Sequence, residues 1–400
     1  MKNKIFRSIG VYTSISILSG GLNFFFISYY AKILSLENTG MIGLVLITTY
    51  ITVPLIRFGT TELVGLNVIK YDKKEFIDFF NILISFVIIC LPLIFLFTLC
   101  TTLYFKKNIF FLLIIIVFSI VRSSIGVHDK ILVLKNRKKT FAIEKIRTGI
   151  LTLLFGIIFI NFNKSWTSYF SAIILAEIIS VFFRYCKYYT LFNFKFDREE
   201  FVNLFQYGLP FVIGLGGAWA LNQFDKLLIE SYYGLEILGG YTLAFQIGIL
   251  IRTFNTSIAN SMYPIIYSSY SKNIVKKIQT KFFIIFLSIG VFIFGSLSFF
   301  VKYFFSIVYG NNYNDFKTII IIIGLAFVLE GLYKVGDSYL IYKRKNYVKI
   351  IILYFSALVG LVSSLLLMKT QGFIGPAYGV LIAYFTLLTL TTYYSNNLIK

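Results

Sequence analysis

Apolar runs long enough to cross a bilayer, about 20 residues each, recur along almost the whole chain. That pattern leaves few folds open. In hydrocarbon every backbone N–H and C=O must be paired within the protein, so only helices and closed barrels can span. The runs here are continuous rather than alternating, which fits helices and excludes an outer-membrane barrel. Composition agrees. Of 400 residues, 58% are hydrophobic and 14% charged, with a mean hydropathy of +0.81. No soluble core could bury that excess. A soluble enzyme, a disordered chain and a nucleic-acid-binding domain are therefore excluded, despite a net charge of +21.

The expected fold class is all-α: a polytopic membrane protein of about twelve helices. The runs place spans at about 9–31, 40–66, 79–101, 109–127, 141–161 and 166–186. They continue at about 203–229, 238–267, 281–301, 316–340, 347–368 and 373–394. With the N-terminus placed inside, the inner segments hold about 24 lysines and arginines and the outer ones about seven. This alternation supports the count and puts both termini in the cytoplasm. The basic loops should also attract anionic lipid headgroups. The first run lacks a small-residue cleavage site and reads as an uncleaved helix.

Glycine-led segments recur at similar intervals. Gly10 opens the first span and Leu34 to Gly40 closes it; Gly208 opens the seventh and Leu235 to Gly240 closes it. The expected organisation is a six-helix half at 1–190, an interfacial linker at 191–202 and a second six-helix half at 203–400. Parallel repeats of this kind enclose a central cleft that can open to either side.

Charges deep in a span cost about 2.5–3.5 kcal/mol each, so they usually face the bundle interior or a cavity. Arg252 lies near the middle of its span, too deep to snorkel. Arg57 and Arg122 lie nearer the inner ends of theirs, Arg57 with Glu62 close by. A guanidinium suits a phosphate headgroup. Asp225 and Lys226 are adjacent, point about 100° apart and are expected to meet different neighbours. Glu330, Lys334 and Asp337 share one helix face, where Glu330 and Lys334 can pair. Glu177 has no local partner, which makes it the better coupling carboxylate beside Glu330 and Asp337. Pro210 and Gly240 read as hinge or turn positions. Cys90, Cys100 and Cys186 fit no metal or redox spacing, and the lone His128 suggests no metal site.

The stretch Tyr207-Gly208-Leu209-Pro210, Trp219, Asp225-Lys226, Gly234, Gly239-Gly240-Tyr241 and Ala244 resembles polysaccharide exporters of the multidrug/oligosaccharidyl-lipid/polysaccharide superfamily. Tyr29-Tyr30-Ala31 through Leu34 and Gly40 resembles the same family's first-helix exit, although Ser35 and Ile42 depart from it. Lys226 stands where that family usually has arginine. The resemblance is to its O-antigen or capsule repeat-unit flippase branch and implies a MATE-like arrangement of the two halves. It also implies a bacterial inner-membrane transporter rather than an enzyme. The cargo would be an undecaprenyl-pyrophosphate-linked oligosaccharide, moved from the cytoplasmic to the periplasmic leaflet by alternating access. A repeat-unit polymerase and a chain-length regulator would be partners. No cofactor is implied; a proton or sodium could drive transport. On this reading Arg252, Arg57 and Arg122 hold the pyrophosphate. The alternatives are a multidrug exporter or lipid II flippase of the same superfamily, or a membrane enzyme of polysaccharide assembly.

Overall fold

The computed structural model describes residues 2–60, 73–135, 137–185, 198–267, 272–343 and 345–399. Its helices are α1 (Lys2–Ile33), α2 (Leu36–Arg57), α3 (Lys73–Tyr104), α4 (Ile109–Leu134), α5 (Lys138–Phe162) and α6 (Trp166–Tyr185). They continue with α7 (Arg198–Tyr267), α8 (Lys272–Tyr303), α9 (Lys317–Tyr342), α10 (Asn346–Gln371) and α11 (Gly375–Ile399). No strand occurs among the described residues.

α7 is two helices in one. Gly234, at φ 77° and ψ −174°, breaks it into arms 198–233 and 235–267. A positive φ of this kind suits glycine, which has no Cβ to clash. By length and composition, seven helical stretches qualify as membrane spans among the described residues. Two of them, Val212–Ala259 and Asn346–Asn397, run through reversals at Gly234 and Gly372 and supply two crossings each. With α1, α3 and α5 these account for the twelve expected helices.

Local chemistry sets the ends. The Asn108 side chain accepts from the Phe111 amide and caps α4. α2 stops at Arg57, nine residues before the expected boundary at 66, because Phe58 (φ 41°) and Gly59 (φ 77°) turn left-handed. Within the helices, hydroxyls satisfy themselves by bonding back one turn. Thr48 to the Leu44 carbonyl and Thr98 to the Ile94 carbonyl, each 3.0 Å, are examples.

The chain forms two compact units, Leu44–Gly216 and Met1–Gly43 with Gly217–Lys400. In the first, α6 packs on both α4 and α5. Phe118 and Phe170 meet edge to face in its core. In the second, α9 is the central helix, packed on α8 and α11. Its Ile319, Ile323, Phe327 and Tyr339 are fully buried. The expected linker falls at 191–202, of which 191–197 lies outside the described residues, as do Glu62 and Cys186.

A reciprocal crossing joins α2 to the second arm of α7. A Cβ on Gly40 would strike the carbonyl of Leu235, and one on Gly239 would strike the carbonyl of Leu36. The paired positions have the same spacing in both segments, so a local two-fold relates them. Gly240 does not make a turn. It sits within the helical arm against the Phe316 ring, and the reversal falls at Gly234 instead. Pro210 likewise lies within helical backbone of the 198–233 arm.

Candidate functional site

Each unit contains a cluster in which an arginine meets a buried carboxylate. In the 44–216 unit the carboxylate is Glu177 on α6. The Arg122 Nε, on α4, lies 2.7 Å from Glu177 Oε1. The Arg122 guanidinium also stacks on Phe118, 4.7 Å from the ring centre. Arg57, at the end of α2, donates from Nη2 to the Arg122 backbone carbonyl at 2.8 Å. Two glycines make this possible. A side chain on Gly126 would overlap the Arg57 guanidinium, and one on Gly208 would overlap Phe58. Phe58 is in turn held between Phe86 and Phe205. The glycine of the Tyr207-Gly208-Leu209-Pro210 motif therefore seats the chain turn that follows Arg57.

Glu177 has a partner, though not a local one. That partner stands on another helix, 55 positions away, where helical periodicity cannot reveal it. Only Oε1 is engaged; Oε2 is buried and makes no hydrogen bond among the described residues. The acid is nearly enclosed, at 7% exposure, whereas Arg122 is 45% exposed.

In the other unit the carboxylate is Glu330 on α9. Arg252 Nε lies 3.3 Å from Glu330 Oε1, and Lys334 Nζ lies 3.2 Å from the same oxygen. Asn255 donates to Glu330 Oε2 at 3.2 Å. Arg252 Nη1 donates to Asn222 Oδ1 at 2.8 Å, and the Tyr384 hydroxyl donates to that same oxygen at 2.8 Å. Thus α7, α9 and α11 together orient one guanidinium. Asn222, Asn255 and Tyr384 escape sequence reasoning because uncharged polar residues carry no insertion penalty large enough to mark them. Arg252 stays partly open, at 22% exposure.

The remaining expected residues are closed pairs. Lys226 Nζ folds back onto Asp225, 3.2 and 3.3 Å from its two oxygens. It also bonds the Asn222 carbonyl at 2.7 Å and stacks on Phe245 at 3.3 Å. The Tyr241 hydroxyl donates to Asp225 Oδ2 at 2.8 Å. The expectation that Asp225 and Lys226 meet different helices is corrected here. The four-carbon lysine stem spans the 100° offset that separates adjacent Cβ atoms. Asp337 pairs with Lys349 across α9 and α10 at 2.9 Å.

A third network passed unnoticed in the sequence. Arg184 Nη1 lies 3.0 Å from Asp129 Oδ1, and its Nε lies 3.1 Å from Glu144 Oε2. Lys145 reaches Asp129 at 2.6 Å, and His128 Nε2 lies 3.5 Å from Glu144. Two cations and two carboxylates balance here, and the histidine is tied into an ion network rather than a metal site. No group of metal-ligating side chains occurs among the described residues.

A family model described as polysaccharide biosynthesis protein matches residues 5–270. The chain belongs to that family. Solved structures extend the likeness of this polysaccharide biosynthesis protein to the fold. An inward-facing multidrug resistance MATE family transporter of the MOP superfamily aligns with a TM-score of 0.74 at 13% identity, over 97% of this chain and 94% of that one. The lipid II flippase MurJ, in an inward closed conformation, aligns at 0.73 and 14% identity, over 96% and 87%. The Vibrio cholerae MATE transporter VcmN in its bent form aligns at 0.60 and 13%, over 99% and 96%. A comparison with curated proteins finds no match. The fold is the one shared by these solved MATE and MurJ structures.

Proposed function

We propose that this polysaccharide biosynthesis protein is a flippase for a lipid-linked oligosaccharide. Its cargo would be an O-antigen or capsule repeat unit on undecaprenyl pyrophosphate, carried to the outer leaflet of a bacterial cytoplasmic membrane by alternating access. The observation that carries the reading is a partly exposed arginine on a buried carboxylate in each unit. Arg122 meets Glu177 and carries Arg57 on its backbone carbonyl, and Arg252 and Lys334 share Glu330. The carboxylate holds each guanidinium within the bundle, and the edge left exposed is open to an anion. A pyrophosphate supplies that anion, and guanidinium groups match its oxygens in a bidentate way.

The basic loops support a cytoplasmic location for both termini. Glu177, with one oxygen unengaged, is the coupling acid we propose for a proton-driven cycle. Glu330 and Asp337 are each neutralised by lysine and serve as structural acids in this scheme. A polymerase and a chain-length regulator would receive the product. An exporter of organic cations would instead require a net acidic cluster.

Cells lacking the gene test the reading. Intact glycolipid trapped in the inner leaflet, with loss of surface polysaccharide reversed by re-expression, is the expected result. Normal surface polysaccharide with no trapped glycolipid, together with altered resistance to cationic dyes, would overturn it in favour of drug export.

A further inference from the structure

Arg147 takes part in none of these three networks among the described residues. Arg147 stands on α5, whose buried face is Phe141, Glu144, Gly149, Thr152, Gly156 and Ile160. The opposite stripe carries the exposed Ile143, Ile150, Leu154 and Ile157. Arg147 falls on that exposed stripe by helical spacing. In a membrane-spanning bundle, such a stripe faces acyl chains. The guanidinium lies over the ring of Phe183 on α6, 4.6 Å from its centre, and Phe183 is itself 60% exposed. The Arg147 Nε and Nη2 are enclosed and make no hydrogen bond among the described residues.

No carboxylate pairs with this guanidinium among the described residues. Arg147 lies nine residues beyond Lys138, about 13 Å along α5 at 1.5 Å per residue. Side chains on a helix lean toward its N-terminus. The stem therefore leans toward the end where Lys135, Arg137, Lys138 and Lys139 cluster. We propose that Arg147 and Phe183 form a seat for the headgroup phosphate of an anionic bilayer phospholipid, in the leaflet that meets this basic end. The ring supports the flat guanidinium, Nη1, the nitrogen that is not enclosed, engages the phosphate, and the flanking isoleucines accept the acyl chains. This site is separate from the clusters assigned to the cargo.

The test uses the full-length protein in phosphatidylcholine nanodiscs titrated with phosphatidylglycerol, with retained lipid read by native mass spectrometry. Arg147→Gln is expected to weaken phosphatidylglycerol retention by about fivefold or more, as loss of a charge-assisted hydrogen bond implies. Arg147→Lys should restore most of it, and Phe183→Ala should lose less than Arg147→Gln. Equal retention in wild type and Arg147→Gln, at unchanged thermal midpoint, would overturn the proposal. If Arg147→Gln fails to fold, a photoreactive phosphatidylglycerol on the wild-type protein decides. Cross-links within 143–150 and 179–185 support the site, and cross-links only elsewhere overturn it. Two competition arms identify the source. Displacement by inorganic phosphate or by undecaprenyl pyrophosphate would overturn the phospholipid assignment in favour of a free anion or the carrier lipid, and retention in the presence of both supports it.

Discussion

Arg122 and Arg184 lie in the same unit, and each meets a glutamate across a helix seam. Their surroundings differ. Arg184 is 1% exposed and touches two carboxylates, while Lys145 balances the charge. Arg122 is 45% exposed, has one carboxylate, and has Arg57 bonded to its own carbonyl. The first arrangement is sealed and neutral, a strut joining α4, α5 and α6. The second leaves a guanidinium partly exposed, where the proposed ligand could meet it. The other unit repeats the contrast, with the sealed Asp225–Lys226 pair near the partly open Arg252. Burial depth alone therefore does not mark a ligand-binding cation. On the proposed reading, residual exposure does.

The largest expected effect tests the strut. Arg184→Ala leaves Glu144 and Asp129 short of a cation, and breaking a buried pair costs about 3–5 kcal/mol. The variant should accumulate poorly and show a lowered thermal midpoint in detergent. Near-normal stability with loss of transport alone would break the comparison, because Arg184 would then behave like Arg122. Next comes Arg252→Ala, which should reduce surface polysaccharide by about tenfold at unchanged expression, in line with a charged hydrogen bond lost from the ligand. Arg252→Lys should fall between, since lysine cannot make the bidentate contact.

Gly126→Ala sharpens the contrast without touching a charge. Its methyl group would displace the Arg57 guanidinium, so transport should fall several-fold, by about 1 kcal/mol of lost binding, while folding persists. The smallest effect is expected for His128→Gln. The His128–Glu144 distance of 3.5 Å is that of a weak contact, and stability should change by about 1 kcal/mol or less in a detergent melt.

Much of the architecture was legible in the sequence because lipid enforces it. Runs such as Ile109–Leu134 and Lys317–Tyr342 can only be helices when no water is present to satisfy their backbones. The depth of Arg252 was legible for the same reason. Pairing was not. Glu177 meets Arg122, and Arg184 meets Asp129 and Glu144, across helix seams whose register no linear pattern records. The chain reversal fell at Gly234 rather than Gly240, because both are glycines in helical surroundings and only φ separates them. Arg147 escaped notice because six residues separate it from the expected start of its span at 141, which reads as an interfacial cation.

The most direct test is reconstitution. Purified protein in liposomes would be given undecaprenyl-pyrophosphate-linked oligosaccharide in one leaflet, and its arrival in the other leaflet followed by a membrane-impermeant glycosidase. The account predicts translocation by the wild-type protein and a drop of about tenfold per folded molecule for Arg252→Ala and for Arg122→Ala. Translocation that is undiminished in both variants would contradict the claim that these cations hold the pyrophosphate.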